Sequence, residues 1–311
     1  MKNNKYVVHI YNVCNVLMHE KMKPFILLLT LACIVSCGSN RRANAFLSHM
    51  DTIYQQNPAE AIIAIDSFMS CHNDMSQHNR MLLTLYRLRA QNSVGEPFAS
   101  DSLARKVVQY FDDNGSVEEQ MSAYYVLGSV YRDLDNYPEA LADYQKAVAL
   151  ADTTDGNKNN AFLNRVYGQM GNVLLRQLAF NEAGVAYSLA VRFACKDKDT
   201  LGVLLSKEQI ANVLYLQNRR DEACKLREWL HDEYLKNGLV REASKVLVPN
   251  VSTLLGRGKV EEVGRILRSY EEHSGDVDSL GNVVSGLEKY YNDKANYLLA
   301  KSDVSGALGY Y

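Results

Sequence analysis

Residues 123–148 read AYYVLGSVYRDLDNYPEALADYQKAV, and this stretch decides the fold. Each half repeats apolar residues at intervals of three or four: Tyr124, Leu127, Gly128 and Tyr131, then Ala140, Tyr144 and Ala147. Such spacing places each set on one face of a helix. Gly128 in mid-helix costs about 1 kcal/mol relative to Ala, so it indicates the close approach of another backbone. Because Asn136-Tyr137-Pro138 is typical of a turn that opens a helix, the stretch predicts two antiparallel helices.

The same pattern returns along the chain. From Gly128 to Gly171, 43 positions later, it recurs as Tyr167, Met170, Gly171 and Leu174, then Ala183, Tyr187 and Ala190. Weaker copies start near Ile210, Val251 and Tyr291. Units of this kind cover their apolar faces by stacking on one another. We predict an all-α fold, a right-handed superhelical solenoid of about five to seven antiparallel helix pairs, the last of them incomplete.

The stretch at 123–148 resembles the tetratricopeptide repeat (TPR) family. The pattern of that family has a large residue, Leu-Gly and Tyr on the first helix, and a small, an aromatic and a small residue on the second. The resemblance is strong over residues 120–192 and weaker elsewhere. It predicts degenerate helical repeats at 44–119 and TPR-like repeats at 120–311. In this family the first helices of successive pairs line a concave groove that holds peptides or partner helices. The resemblance therefore implies a scaffold that binds a protein or peptide.

Polar and aromatic residues occupy the positions that line this groove in the family. They are Tyr125, Arg132, Arg165, Gln169, Asn172, Arg176, Asn212 and Tyr215, with Ser129 and Glu208 beside them. Asn172 and Asn212 share one repeat position, and an amide both donates and accepts, so the two could hold a peptide backbone. The Arg side chains could clamp a carboxylate. The alternative is that all of these are solvated polar residues on helix faces.

The N-terminal segment is typical of a bacterial lipoprotein signal. Lys21 and Lys23 precede an apolar run at 25–35 that is too short to span a bilayer as a helix, and Ile34-Val35-Ser36-Cys37 follows. That tetrapeptide resembles the lipobox, whose Cys is diacylated and becomes the first residue of the mature protein. We expect a signal peptide at 22–36, lipidation at Cys37, a short linker at 37–43, and a true start at Met22 that leaves 1–21 upstream.

This signal predicts a location as well as a modification. We expect the protein to be lipid-anchored in the envelope of a Gram-negative bacterium, on the inner or the outer membrane and facing the periplasm. Acyl chains attach a protein to a membrane without any membrane-spanning helix.

Enzyme signatures are missing from the sequence. It contains no G-x-S-x-G, no H-E-x-x-H, no phosphate loop and no dinucleotide fingerprint. The formal net charge of −2 gives no basic face for nucleic acid, and the His residues lack metal-ligand spacing. We therefore expect no catalysis, cofactor, metal or small-molecule substrate. The expected partners are a protein or peptide and, through the anchor, a membrane.

Two other functions stay open on the sequence alone. The final unit stops at Tyr311 without the polar capping helix that closes most solenoids, which indicates a longer natural protein or a partner over that end. One alternative is therefore the sensor portion of a longer regulator with a C-terminal membrane helix and a DNA-binding tail. The other is a glycan-binding outer-membrane lipoprotein, but the chain has no long insertion to carry an aromatic platform.

Overall fold

The structure is a computed structural model that describes residues 40–151, 158–278 and 288–310. The signal peptide, Cys37 and residues 1–21 lie outside the described residues. The chain forms two compact units, Met1–Asn136 and Tyr137–Tyr311. In the described residues the regular elements are helices, with no strand, which confirms the all-α prediction. None of the described helices combines the length and the apolar character that crossing a membrane requires.

Unit 1 contains five helices in its described part. They are α1 (40–56), α2 (Pro58–Cys71), α3 (Gln77–Val94), α4 (Ser102–Asn114) and α5 (Val117–Asp133). Helix α1 packs on α2, where the rings of Phe46 and Phe68 stack with centroids 4.2 Å apart. A second apolar cluster joins α3, α4 and α5 around the buried Phe111. These contacts pair α1 with α2 and pack α4 against both α3 and α5.

The expected linker at 37–43 is wrong for residues 40–43. These residues belong to α1, and Ala43 is fully buried in a cluster with Met50 and Ile65. The side chain of Asn40 also accepts a hydrogen bond from the backbone N–H of Ser76, with N and O 2.7 Å apart. The helix begins this early because its first turn already buries apolar surface and contacts the start of α3.

Unit 2 starts with α6 and continues in pairs. Its helices are α6 (Tyr137–Leu150), α7 (Asn160–Arg176), α8 (Phe180–Asp197), α9 (Thr200–Leu216), α10 (Arg220–Lys236), α11 (Val240–Val246), α12 (Val251–Gly256), α13 (Val260–His273), α14 (Glu288–Ala300) and α15 (Val304–Leu308). The pairs are α7–α8, α9–α10, α11 and α12 with α13, and α14–α15. This succession of helix pairs is the TPR-like solenoid arrangement that the sequence predicts.

The turn inside each pair of unit 2 has the same backbone geometry. Leu178, Asn218, Gly258 and Ser302 occupy equivalent places and have φ of 58°, 62°, 71° and 63°. A left-handed residue after a helix ends its hydrogen-bond ladder and redirects the chain. The next helix can therefore start after a single further residue in α7–α8 and α9–α10, which makes the two helices of each pair antiparallel.

Candidate partner-binding face of α7 and α9

The first helices of two successive pairs, α7 and α9, lie side by side. The Nδ2 of Asn164 on α7 donates to Ser206 Oγ on α9 at 3.2 Å and to the Ala190 carbonyl on α8 at 2.9 Å. One side chain thus joins three helices. The sequence positions that we predict to bind a partner in unit 2 all lie on α7 and α9: Arg165, Gln169, Asn172, Arg176, Asn212 and Tyr215.

Asn172 and Asn212 are equivalent in structure as well as in sequence. Asn172 Nδ2 donates to Gln169 Oε1 at 3.3 Å, and Asn212 Nδ2 donates to Gln209 Oε1 at 3.2 Å. The oxygen of each Asn already accepts a bond from the second helix of its own pair, from Tyr187 or from Arg227. Each amide therefore keeps one N–H for a ligand, which makes it a donor to a peptide carbonyl.

In the α7–α8 pair the Asn is held by an aromatic side chain. The buried Tyr187 donates its hydroxyl to Asn172 Oδ1 at 2.7 Å, and its ring lies directly against Gly171. A Cβ at Gly171 would come 2.6 Å from Cε1 of that ring. Burial raises the pKa of Tyr187 above its usual value, so the hydroxyl remains a donor. Gly171 is required here because no side chain fits between α7 and this ring.

In the α9–α10 pair the same place holds a cation. Arg227, at 1% exposure, is the largest fully buried side chain. Its Nη2 donates to Asn212 Oδ1 at 2.9 Å and lies 3.5 Å from the Ala211 carbonyl, while Nη1 donates to Asn250 Oδ1 at 3.0 Å. Its Nε has no acceptor among the described residues. Burial lowers the pKa of Arg227, but a guanidinium stays protonated in proteins, so a charge remains inside the fold.

Glu208 belongs to the same buried polar cluster. Its Oε2 accepts a hydrogen bond from the buried Tyr234 hydroxyl at 3.1 Å. Burial raises the pKa of Glu208, and this effect outweighs the opposing effects of the Tyr234 hydrogen bond and the Arg227 charge. The carboxylate is therefore held beside the candidate face for structural reasons, and an anionic ligand would be repelled rather than attracted by it.

Exposed side chains distinguish α7 from α9. Arg165 and Arg176 are exposed on α7, and Arg165 forms no hydrogen bond or ion pair with any residue that the structure describes. At the equivalent positions, 40 further on, α9 carries Leu205 and Leu216, which are 46% and 50% exposed. On α7 the two exposed positions are cationic and on α9 they are apolar, and in each helix they lie eleven residues, or about 16 Å, apart.

Tyr215 lies at the end of the face, half-buried between two cations. The guanidinium carbons of Arg220 and Arg227 lie 5.5 Å and 5.6 Å from the centre of its ring. An aromatic ring under a cation is held in place by the attraction between the charge and the ring face. Tyr215 is thus a fixed surface for stacking, although part of its ring area is already used.

The remaining predicted site residues lie in unit 1. Arg132 forms an ion pair with Asp133 at 2.7 Å and donates to Asn92 Oδ1 at 3.0 Å. The Tyr125 hydroxyl accepts from Asn92 Nδ2 at 3.4 Å, and Ser129 is fully buried and donates to the Tyr125 carbonyl. These side chains are hydrogen-bonded to one another. Arg132 is therefore less available to an incoming carboxylate than the exposed Arg165.

Sequence reasoning missed Arg227 and Asn250. Arg227 stands 40 positions after Tyr187, at the aromatic position of the repeat. The sequence could have revealed it, because an Arg replaces an aromatic residue there. Asn250 had no comparable signal. It lies in a 3-10 turn, Val248–Asn250, which interrupts the first helix of the following pair.

Comparisons with known proteins agree with this architecture. The tetratricopeptide repeat family matches residues 122–153, which include the whole of the stretch at 123–148. No curated protein matches the chain.

Solved structures with similar folds cover nearly the whole chain. Aspartyl phosphate phosphatase F from Bacillus subtilis is 15% identical, with a TM-score of 0.58 over 100% of this chain and 83% of its own. The apo quorum sensor NprR from B. thuringiensis is 13% identical, with a TM-score of 0.59 over 99% and 92%. Apo RapI is 11% identical, with a TM-score of 0.55 over 86% and 97%. At these identities the similarity concerns the fold.

Proposed function

We propose that this protein is a non-catalytic TPR-like scaffold, lipid-anchored in the cell envelope, which binds an extended segment of a protein partner along α7 and α9. The observation that carries the proposal is the pairing of exposed Arg165 and Arg176 on α7 with exposed Leu205 and Leu216 on α9. Between these exposed positions along the two helices, Asn172 and Asn212 each retain one amide hydrogen for a peptide carbonyl.

The chemistry of this face selects the bound segment. Guanidinium groups form their strongest hydrogen bonds with carboxylates, so the segment carries Asp or Glu opposite α7. Leu205 and Leu216 lose water-exposed apolar area when aliphatic side chains cover them, so the segment carries those opposite α9. The expected ligand is an extended peptide with acidic and aliphatic residues at separate positions.

The binding face is tested with a displayed library of random peptides of about 12 residues, selected on the full chain. Enriched sequences should combine acidic with aliphatic residues, and a labelled representative should bind in a fluorescence-anisotropy titration. We expect Arg165→Gln and Arg176→Gln each to weaken that binding by about tenfold, because each removes a charge-assisted contact. Leu205→Ser and Leu216→Ser should weaken it by a similar factor and change its salt dependence less.

Arg192→Gln is the matched control, since Arg192 is an exposed Arg on the second helix α8. It should bind the labelled peptide as the unmodified protein does. Equal affinity in the Arg165, Arg176 and control variants would contradict the proposed face, and so would a selection that enriches no common chemistry.

The proposed anchor rests on the lipobox-like Ile34-Val35-Ser36-Cys37 after an apolar run. Mass spectrometry of the mature protein should find an acylated Cys37 at its N-terminus. Cys37→Ser should move the protein from the membrane fraction to the unbound fraction. A mature chain that starts elsewhere, or a Cys37→Ser protein that still sediments with membranes, would overturn the anchor and leave the peptide-binding face untouched.

A further inference from the structure

A cavity of about 280 Å³ lies in unit 2, and none of its lining residues belongs to α7 or α9. The second helices α10 and α13 form its two walls, and α11, the 3-10 turn and α12 form its floor. Leu247, Leu254 and Ile266 supply apolar surface, and polar groups from both walls surround them. Small-molecule sites usually measure about 300 to 1,000 Å³, so this cavity suits a ligand at the small end of that range.

The cavity exists because small side chains replace large ones in this pair. Ser244 occupies the position of Leu204, 40 residues earlier, which is 2% exposed and fills the preceding interface. Ser269 occupies the position of Trp229, which is 40% exposed in the preceding pair. Proteins rarely leave space unfilled in a helical interface, because voids forfeit packing energy. Replacement of the buried Leu204 by Ser in this pair therefore leaves room for a ligand.

The interrupted helix adds to the opening. The first helix of this pair divides into α11 and α12 at the 3-10 turn, which contains Pro249. Pro removes a backbone donor and clashes with the preceding turn, so a continuous α-helix cannot pass through it. Asn250, which follows, is 1% exposed and lines the cavity.

Asn250 brings an unpartnered donor to this cavity. Its Oδ1 accepts from Arg227, but its Nδ2 makes no hydrogen bond with any residue that the structure describes. Asn250 Nδ2 is not among the fully buried polar atoms that lack a partner, so a ligand or water in the cavity can accept from it. The amide hydrogens of Asn250 suit an acceptor such as a carboxylate.

Two exposed side chains of opposite charge line the cavity, one on each wall. Glu228 on α10 and Arg265 on α13 both line it, and neither forms an ion pair or hydrogen bond with a described residue. The other charged residues of the lining already have partners, since His231 contacts Asp232 and Glu262 contacts Lys259. The lining groups without a described partner are thus one carboxylate, one guanidinium, one amide donor and the Ser269 hydroxyl, around an apolar floor.

We propose that this cavity binds a free aliphatic α-amino acid. Its ammonium group pairs with Glu228, its carboxylate accepts hydrogen bonds from Arg265 and Asn250, and its side chain lies on Leu254 and Ile266. A zwitterion with a short apolar body matches both free charges and the free amide of the lining, whereas a purely anionic or cationic ligand leaves one charge unpaired. This is a small-molecule ligand, which the sequence alone did not lead us to expect.

Isothermal titration of the full chain with L-leucine tests the proposal, with isocaproate and isopentylamine as probes that lack the ammonium and the carboxylate. We expect leucine to bind and each analogue to bind about tenfold more weakly or worse. Glu228→Gln should weaken leucine about tenfold but leave isocaproate unchanged. Arg265→Gln should weaken leucine and leave isopentylamine unchanged. Absence of leucine binding, or analogues that bind as leucine does, would overturn the proposal.

A filled cavity provides the second test. Ser244→Leu with Ser269→Trp restores the side chains of the preceding pair and should abolish leucine binding while the helical circular dichroism persists. Ser252→Leu, at an exposed position of α12, is the control and should bind leucine normally. Leucine binding that survives in the filled variant rules out this cavity. If that variant does not fold, the Glu228→Gln and Arg265→Gln variants still test the proposal, because each should weaken leucine and leave a different analogue unchanged.

Discussion

The α7–α8 and α9–α10 pairs are built on one 40-residue plan and hold the same Asn in two different ways. Asn172 is held by the aromatic Tyr187, which needs Gly171 opposite its ring. Asn212 is held by the charged Arg227, with Ala211 in the place of that Gly. A neutral ring fills its site by packing and gives one hydrogen bond. A guanidinium gives several, including one to Asn250 in the next pair.

The difference shows where the repeat tolerates change. Both solutions keep the amide of the first helix in one orientation, with its nitrogen bonded to a Gln. Tyr187 packs on Val213 of the next pair, but only the second solution makes a side-chain hydrogen bond to the next pair, and it does so by keeping a cation away from water. Burying a charge is costly unless hydrogen bonds satisfy it, so the α9–α10 pair depends on its polar partners more than the α7–α8 pair does.

Loss of Arg227 should have the largest effect. Arg227→Ala leaves the oxygens of Asn212 and Asn250 without their donor and opens a void, so we expect a loss of about 3 to 5 kcal/mol in the free energy of unfolding. Urea unfolding followed by circular dichroism measures it. Tyr187→Phe, which removes one hydroxyl and no volume, should cost only about 1 kcal/mol. Equal losses in the two variants would contradict the contrast between the pairs.

Gly171→Ala should come next. The added methyl would lie 2.6 Å from the Tyr187 ring, and relief of such overlap in a packed helix pair usually costs about 1 to 3 kcal/mol. The control is Gly168→Ala on the same helix, where no atom lies within 4 Å of the new methyl. That control should gain about 0.5 to 1 kcal/mol from helix propensity. A stabilised Gly171→Ala protein would mean that the ring does not lie against α7.

The turns of the two pairs offer a smaller test. Leu178 has φ of 58° and is 72% exposed, while the equivalent Asn218 has φ of 62°. Asn tolerates the left-handed region better than Leu, so Leu178→Asn should stabilise the protein by about 0.5 to 1 kcal/mol. Thermal unfolding measures the change, and Asn218→Leu should shift the midpoint downward by a similar amount. A destabilised Leu178→Asn protein would show that the exposed leucine makes a contact of its own.

The smallest effect concerns pH. Glu208 has a folded pKa raised by burial above its ordinary 4.5, so the folded state retains the proton more tightly than the unfolded chain. Its contribution to stability is therefore present below pH 4.5 and decreases as pH rises toward the folded pKa. The difference in unfolding free energy between the unmodified protein and Glu208→Gln should show this slope. Its absence would mean that Arg227 and Tyr234 offset the burial of the carboxylate completely.

Much of the fold can be predicted from the sequence. Gly171 and Tyr187 repeat Gly128 and Tyr144 at a spacing of 43, and Asn212 repeats Asn172 at a spacing of 40. Such repetition indicates that equivalent side chains pack on equivalent neighbours in successive pairs. The sequence does not predict that α1 begins at residue 40. That start depends on the burial of Ala43 against α2 and on the hydrogen bond between Asn40 and Ser76. Local composition there is that of a linker, and only the distant contacts make it helix.

The candidate site, like the fold, can be predicted from the sequence only in part. The sequence placed Arg165, Asn172, Arg176 and Asn212 on the first helices, since a helical period fixes which residues share a face. It could not tell that Arg132 is already bound to Asp133 and Asn92, because that depends on which side chains lie within hydrogen-bonding distance. It did not single out Leu205 and Leu216, because only the packed structure shows that these leucines are exposed.

The sequence by itself determined the repeat, the helix pairs and the residues on each helix face, because these follow from local periodicity and from the chain's own spacing. Only the tertiary structure decided that Arg227 holds Asn212 and Asn250, and that Ser244, Asn250 and Ser269 surround one cavity. Those contacts join residues from different helices. They depend on side-chain volume and charge in the packed interior, which no period in the sequence records.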